Sequence, residues 1–131
     1  MSAPEAARPT VLTVDDSIVI HQMVKCALEP TYRVLMVDNA VEALSLIYHE
    51  TIAVLLLDVL MPGVDGLEFC RTLRNLPQFH HLPVIMVTSQ DRPFDRVQGR
   101  MAGATEYLTK PFTAEQLCNL VKKFTPSLSS H

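Results

Sequence analysis

The sequence predicts an α/β domain built on a doubly wound, five-stranded parallel sheet with helices on both faces. Three observations carry that prediction. Short β-branched apolar runs alternate five times with longer segments of helical period. One run, Ala53-Val54-Leu55-Leu56-Leu57, is apolar at every position, as a central parallel strand buried on both faces requires. The chain has 131 residues, 48% of them hydrophobic, which suits one domain around one core.

Residues 1–9 mix alanine, proline and charge without periodicity and read as a flexible leader. The folded domain is expected over 10–124 and a short Ser-rich tail over 125–131. Within the domain the apolar runs predict strands over 11–14, 33–36, 53–57, 83–87 and 105–108. The intervening segments predict helices over 17–28, 40–49, 66–75, 94–102 and 113–124. In the first helix Ile18, Ile20, Val24 and Leu28 form an inward side, and Glu29-Pro30 ends it because the residue before a proline avoids helical geometry. In the last helix Thr113, followed by Glu115 and Gln116, looks like a capped start.

Composition narrows the function classes. The formal net charge of -3 offers no basic face for a nucleic-acid backbone, so direct binding of DNA or RNA is not expected. No apolar run approaches the roughly 20 residues that span a bilayer, so the chain is expected to be soluble and cytoplasmic, without a membrane partner. Cys26, Cys70 and Cys118 are an odd number with no CxxC pair, which fits buried reduced thiols better than a disulfide or zinc framework. His21 and His49 fall on helices, His80-His81 in a loop and His131 at the end, and solvated or partly packed roles suffice for them.

Ligands of an open parallel sheet bind where the carboxyl ends of its strands emerge. Here the first strand ends in Asp15-Asp16, the third in Asp58 and the fourth in Thr88-Ser89, while Lys110-Pro111 follows the fifth. Each residue alone has an ordinary reading: Asp16-Ser17 as a helix cap, Thr88-Ser89 as a turn, Lys110 as a solvated charge. Together they put three acids beside one lysine, and such acids repel strongly at low dielectric unless a cation compensates them. Oxygen-only ligands select a hard cation, Mg²⁺ or Mn²⁺, and the absence of histidine or cysteine from these strand ends disfavours zinc. A metal ion, the Lys110 ammonium and the Thr88 hydroxyl suit the equatorial oxygens of a transferring phosphoryl group. Asp58 then has the chemistry of a nucleophile that holds an aspartyl phosphate.

Val14-Asp15-Asp16-Ser17, Leu57-Asp58-Val59-Leu60-Met61-Pro62-Gly63-Val64-Asp65-Gly66, Val87-Thr88-Ser89 and Tyr107-Leu108-Thr109-Lys110-Pro111-Phe112 resemble the response-regulator receiver domains of two-component systems. The combination is specific and covers about residues 10–124, although the short pieces alone are not. The resemblance implies a CheY-like, flavodoxin-like fold with strand order 2-1-3-4-5. It also implies roles: Asp58 as phosphoacceptor, Asp16 as a direct metal ligand, Asp15 acting through water, the Leu60 carbonyl completing the metal's protein ligands, and Lys110 binding the phosphoryl group. Thr88 would be the switch hydroxyl and Tyr107 the aromatic that follows it inward, although Tyr107 also reads simply as a half-buried strand aromatic. The implied partners are a histidine kinase or histidine phosphotransfer protein and a downstream protein at the face of the fourth helix, fifth strand and fifth helix. Such a domain is no general enzyme; it catalyses only its own phosphorylation and dephosphorylation.

Residues 91–100, with Gly103 and Tyr107-Leu108-Thr109-Lys110, are similar to twitching-motility receivers of the PilG type and related cyanobacterial receivers. Thr105-Glu106 and Leu120 stand where OmpR-type receivers carry an acidic pair and an arginine, which puts an OmpR-style dimer face in doubt. Three other readings compete. A phosphohydrolase of the haloacid dehalogenase type needs a second aspartate two residues after the nucleophile, where this chain has Leu60. An FMN-binding flavodoxin needs a neutral phosphate loop, where Asp15-Asp16 would repel the phosphate. A phosphorylation-independent receiver scaffold would keep the fold without using the acids, and sequence alone leaves it open. The Lys110–Pro111 peptide isomer is likewise undecided.

Overall fold

The computed structural model describes residues 8–61, 64–89 and 93–125. Most of the expected leader and tail, and Asp91 and Arg92 of the segment 91–100, lie outside them. Strands β1 (Thr10–Val14), β2 (Arg33–Val37), β3 (Val54–Asp58), β4 (Val84–Thr88) and β5 (Glu106–Thr109) alternate with helices α1 (Ile18–Leu28), α2 (Ala40–His49), α3 (Gly66–Arg74), α4 (Pro93–Ala102) and α5 (Ala114–Lys123). The five strands pair in parallel in the order β2-β1-β3-β4-β5, the expected doubly wound order. A two-residue antiparallel pair, Leu60–Met61 with Val64–Asp65, and a 3-10 turn over Pro77–Phe79 were not expected from the sequence.

Alternation along the central strands divides the core into two layers. Leu12, Leu55, Leu57 and Met86 face α2, α3 and α4, where Ile47, Cys70, Leu73 and Ala102 meet them. Val11, Leu56, Ile85 and Val87 face α1 and α5, where Val24, Leu28, Leu117 and Val121 close the other side. All residues of β1, β3 and β4 are buried, so no strand face there is left to water.

Three expectations need correction. β3 and β4 run one residue further than their apolar stretches, through Asp58 and Thr88, because backbone pairing does not stop where side-chain polarity begins: Asp58 is in register with Val87, and Thr88 with Thr109. Ile18 is not on the buried side of α1; it is 73% exposed, because the first turn of α1 starts beyond the carboxyl edge of the sheet and only Val24 and Leu28 are sealed. Cys26 is exposed rather than buried. Cys70 is buried, which pushes its thiol pKa up, and Cys118 is half-buried with its Sγ 3.3 Å from the Ala27 carbonyl.

Helix ends obey the capping rules. Ser17, Asn39, Asp65 and Thr113 each accept a bond from the first turn of the helix that follows. At Thr113 the bond is reciprocal: its hydroxyl takes Gln116 N–H at 3.1 Å and the Gln116 side chain takes Thr113 N–H at 2.9 Å. α1 ends at Glu29, before Pro30, as expected, and both Glu29–Pro30 and Lys110–Pro111 are cis. At the far end of α5, Thr125 is buried and its hydroxyl bridges Tyr32 Oη at 2.8 Å and the Val121 carbonyl at 3.0 Å. Among the described residues no helix is long and apolar enough to cross a membrane.

At the amino edge of the sheet one side chain does the joining. Arg74, the last residue of α3, donates to the Gly103 carbonyl at 2.8 Å, the Phe79 carbonyl at 2.8 Å and the Thr105 hydroxyl at 3.2 Å. Thr105 in turn accepts Val84 N–H at 3.0 Å. Gly103 ends α4 at φ +102, and a side chain there would be driven into the Arg74 stem. The planar fork of the guanidinium thus ties α3, the end of α4 and the starts of β4 and β5. Arg74→Ala is expected to cost on the order of 1–3 kcal/mol of unfolding free energy, with Arg74→Lys recovering only part of it. A chemical-denaturation midpoint equal to that of the wild type in Arg74→Ala would remove this role.

Candidate functional site

Strand order brings the acids together. β1 lies between β2 and β3, so Asp15, directly after β1, and Asp58, the last residue of β3, emerge side by side at the carboxyl edge. Asp15 and Asp58 are buried, at 1% and 5% exposure, while Asp16 is exposed at the rim. One oxygen from each of Asp15, Asp16 and Asp58 lies within 4.8 Å of the others. No other group of three potential metal-ligating side chains this close together occurs among the described residues.

Hydrogen bonds orient these carboxylates. Asp15 Oδ1 accepts Ser17 N–H at 2.9 Å, and Asp58 Oδ1 accepts Leu60 N–H at 3.1 Å. The remaining oxygens turn toward Lys110, whose Nζ is 3.0 Å from Asp15 Oδ2 and 3.6 Å from Asp58 Oδ2. Lys110 is carried there by its backbone, since its N–H donates to the Thr88 carbonyl at 2.7 Å. Thr88 itself is buried at 2% exposure at the end of β4, beside the Asp58 strand. Ser17 proves to be the N-cap of α1, so the ordinary reading of that position holds alongside the site.

Charge is not balanced in this cluster. Burial is the largest influence on Asp58 and raises its carboxyl above the ordinary 3.8; the negative Asp15 beside it and, less strongly, Asp16 raise it further. The Leu60 N–H and the Lys110 ammonium oppose this without reversing it. Three carboxylates and one ammonium therefore leave a site short of positive charge, lined only by oxygen, which fits a small hard cation and gives a soft metal such as zinc no sulfur or imidazole.

One residue to which the sequence assigns no role shapes the site. Gly66 opens α3 hard against the chain leaving β3: a Cβ there would lie 2.7 Å from the Asp58 carbonyl oxygen and 2.8 Å from Val59 Cα. Its N–H also donates to the Val59 carbonyl at 3.1 Å. The glycine was visible in the sequence, but its reason, close approach of two backbones, was not. Tyr107 sits half-buried on β5 and packs on the core layer that α4 covers. Leu60, 55% exposed, begins the short antiparallel pair after β3.

Residues 11–122 match the family model described as the response regulator receiver domain. The chain belongs to that family. Receiver domains are signalling modules of two-component systems, working with histidine kinases and downstream effectors and binding Mg²⁺ at an acidic pocket. This receiver domain is 33% identical to Protein PilG of Pseudomonas aeruginosa over 91% of its own length and 89% of that protein, which bears out the narrower likeness read from the sequence. It is 40% identical to the response regulator MprA of Mycobacterium avium, of which it spans 46%. Among solved structures it is similar to the chemotaxis protein CheY4 of Vibrio cholerae, with a TM-score of 0.84, 35% identity and coverage of 90% of this chain and 99% of that one. It is also similar to the receiver domain of the sensor histidine kinase PA1611 from Pseudomonas aeruginosa, a structure with a magnesium ion coordinated in its active-site cleft (TM-score 0.82, 26% identity, coverage 92% and 99%).

The raised Asp58 carboxyl has a consequence for the receiver domain's stability. A group whose pKa is higher folded than unfolded stabilises the fold fully below its unfolded value, and that contribution is lost as pH rises through the folded value. Ionised Asp58 therefore works against folding at neutral pH. In metal-free buffer Asp58→Asn is expected to melt higher than the wild type at about pH 8, by on the order of a few degrees. The difference should shrink toward about pH 4. A gain that grows on acidification would contradict the assignment.

Proposed function

We propose that the domain is a phosphorylation-controlled binding switch in which Asp58 is the phosphoacceptor. The observation that carries this reading is the clustering of Asp15, Asp16 and Asp58 at the carboxyl edge, with Lys110 paired to the two buried carboxylates, Asp15 and Asp58, and positive charge still short. Asp58 Oδ1 is tethered by Leu60 N–H, which leaves Oδ2, on the Lys110 side, as the oxygen that attacks phosphorus. The new O–P bond forms as the P–N bond of a phosphohistidine on a histidine kinase or phosphotransfer protein breaks, and the departing imidazole keeps the electron pair and takes up a proton. Lys110 binds a phosphoryl oxygen and neutralises charge that builds there.

Asp16, Asp58 and the Leu60 carbonyl, with Asp15 through water, would hold Mg²⁺ or Mn²⁺. The cation would supply electrostatic stabilisation of the transferring group. The Thr88 hydroxyl then donates to the phosphoryl group, Tyr107 follows it inward, and the face of α4, β5 and α5 changes shape for a downstream protein. Domain limits close to 10–124, with Thr125 packed at the end of α5, and a cytoplasmic setting belong to the same reading. Within that face Glu106 pairs with Lys123 of the same chain at 2.9 Å, so this acid is engaged internally, which supports a partner other than an OmpR-style twin.

Incubation with acetyl phosphate and Mg²⁺ followed by intact-mass spectrometry tests the reading. One phosphoryl adduct is expected, stable to acid and labile to hydroxylamine, and absent from Asp58→Asn and from a chelator-treated control. Mg²⁺ alone is expected to raise the melting temperature of the wild type and to do so far less in Asp16→Ala. No adduct under conditions that label another receiver would favour the phosphorylation-independent scaffold.

A further inference from the structure

Glycine is, after proline, the poorest helix former, yet Gly99 sits buried in the interior of α4. Its conformation does not explain it, because among the described residues the only glycine with positive φ is Gly103. Space does. A methyl carbon at Gly99 would lie within 2.5 Å of Tyr107 Cζ and nearer still to its Cε2 and hydroxyl oxygen. The missing side chain is thus a notch in the helix surface, and the outer edge of the Tyr107 ring fills it. Val97 and Met101, two residues to either side and therefore on the opposite face of α4, are 54% and 74% exposed, so the helix turns the notch inward and its other face to water.

We infer that Gly99 is the positioning residue of the switch: the notch it leaves in α4 is the seat of the Tyr107 phenol, and any side chain there drives Tyr107 out. This rests on the proposed role of Tyr107 as the moving aromatic. The seat ties a position on the outer helix to the strand whose chain leads, three residues on, to Lys110. Since Tyr107 is the far end of a side chain, it yields before the α4 backbone does. Gly99→Ala is therefore expected to leave the acidic site intact and to uncouple Tyr107 from it.

The test uses the full chain labelled with Cε-¹³C tyrosine, whose three tyrosines, Tyr32, Tyr48 and Tyr107, are assigned with Tyr107→Phe. Spectra are compared with and without beryllofluoride and Mg²⁺. In Gly99→Ala the Tyr107 signal should move to that of a solvent-exposed ring, stop responding to beryllofluoride, and leave Tyr32 and Tyr48 unshifted, while acetyl phosphate still adds one phosphoryl mass. Stability gives a second, independent reading: Gly99→Ala should lower the melting temperature in the wild type but raise it in a Tyr107→Ala background, where only the better helix former remains. An unmoved Tyr107 signal, or a Gly99→Ala effect of the same sign and size in both backgrounds, overturns the seat. A wild-type Tyr107 signal that ignores beryllofluoride, in a protein where Gly99→Ala still displaces it, would instead sink the switch and leave the seat standing.

Discussion

Two carboxylates nearly sealed from water and a third at their rim, all within 4.8 Å, make an arrangement that opposes folding unless positive charge answers it. Lys110 answers part of it, reaching Asp15 at 3.0 Å and Asp58 at 3.6 Å, and the Ser17 and Leu60 amides add dipoles to the inner oxygens. What is left over is a deficit of cation. The chemistry of the site follows from that deficit: it invites a hard metal ion, and it holds Asp58 as a carboxylate whose ionised form is disfavoured by burial and neighbours alike.

The parallel sheet is what makes such crowding possible. Every strand delivers its carboxyl end to one edge, and β1 and β3 are neighbours, so residues 43 apart in sequence, Asp15 and Asp58, share a site without any loop being bent to bring them there. The rest of the molecule keeps that edge in place. Two apolar layers hold the strands, Gly66 lets α3 begin directly against Asp58 and Val59, and Arg74 staples the opposite edge. α4 is consequently fastened at Gly103, and its buried Gly99 rests on Tyr107.

Much of this was legible in the residues themselves. The acids, Thr88 and Lys110 announced themselves because polar side chains interrupt apolar runs at strand ends, and Thr113 with Gln116 announced a helix start. The carboxyl ends of β3 and β4 lie one residue beyond the apolar pattern for the same reason: side-chain polarity reports on burial, whereas the ladder is a matter of backbone pairing, which carries Asp58 and Thr88 into the strands. Ile18 and Cys26 read as inward-facing in the sequence, but apolar character is a one-way guide, and α1 carries apolar residues on the side that faces water as well. Arg74 looked like any helical arginine, since its partners are backbone carbonyls and a threonine brought close only by folding.

Local chemistry and periodicity, which are properties of neighbouring residues, sufficed for the fold class, the five repeats, the caps at Ser17 and Thr113 and the list of reactive side chains. Distances between elements were a different matter. That Lys110 leans on Asp15 more closely than on Asp58, that Tyr32 closes over Thr125, and that Gly66 and Gly99 are glycines because a backbone and a tyrosine ring occupy the space a side chain would need, were decided only when the sheet order set elements far apart in sequence against one another. A residue's type limits what it can touch, but packing chooses what it does touch.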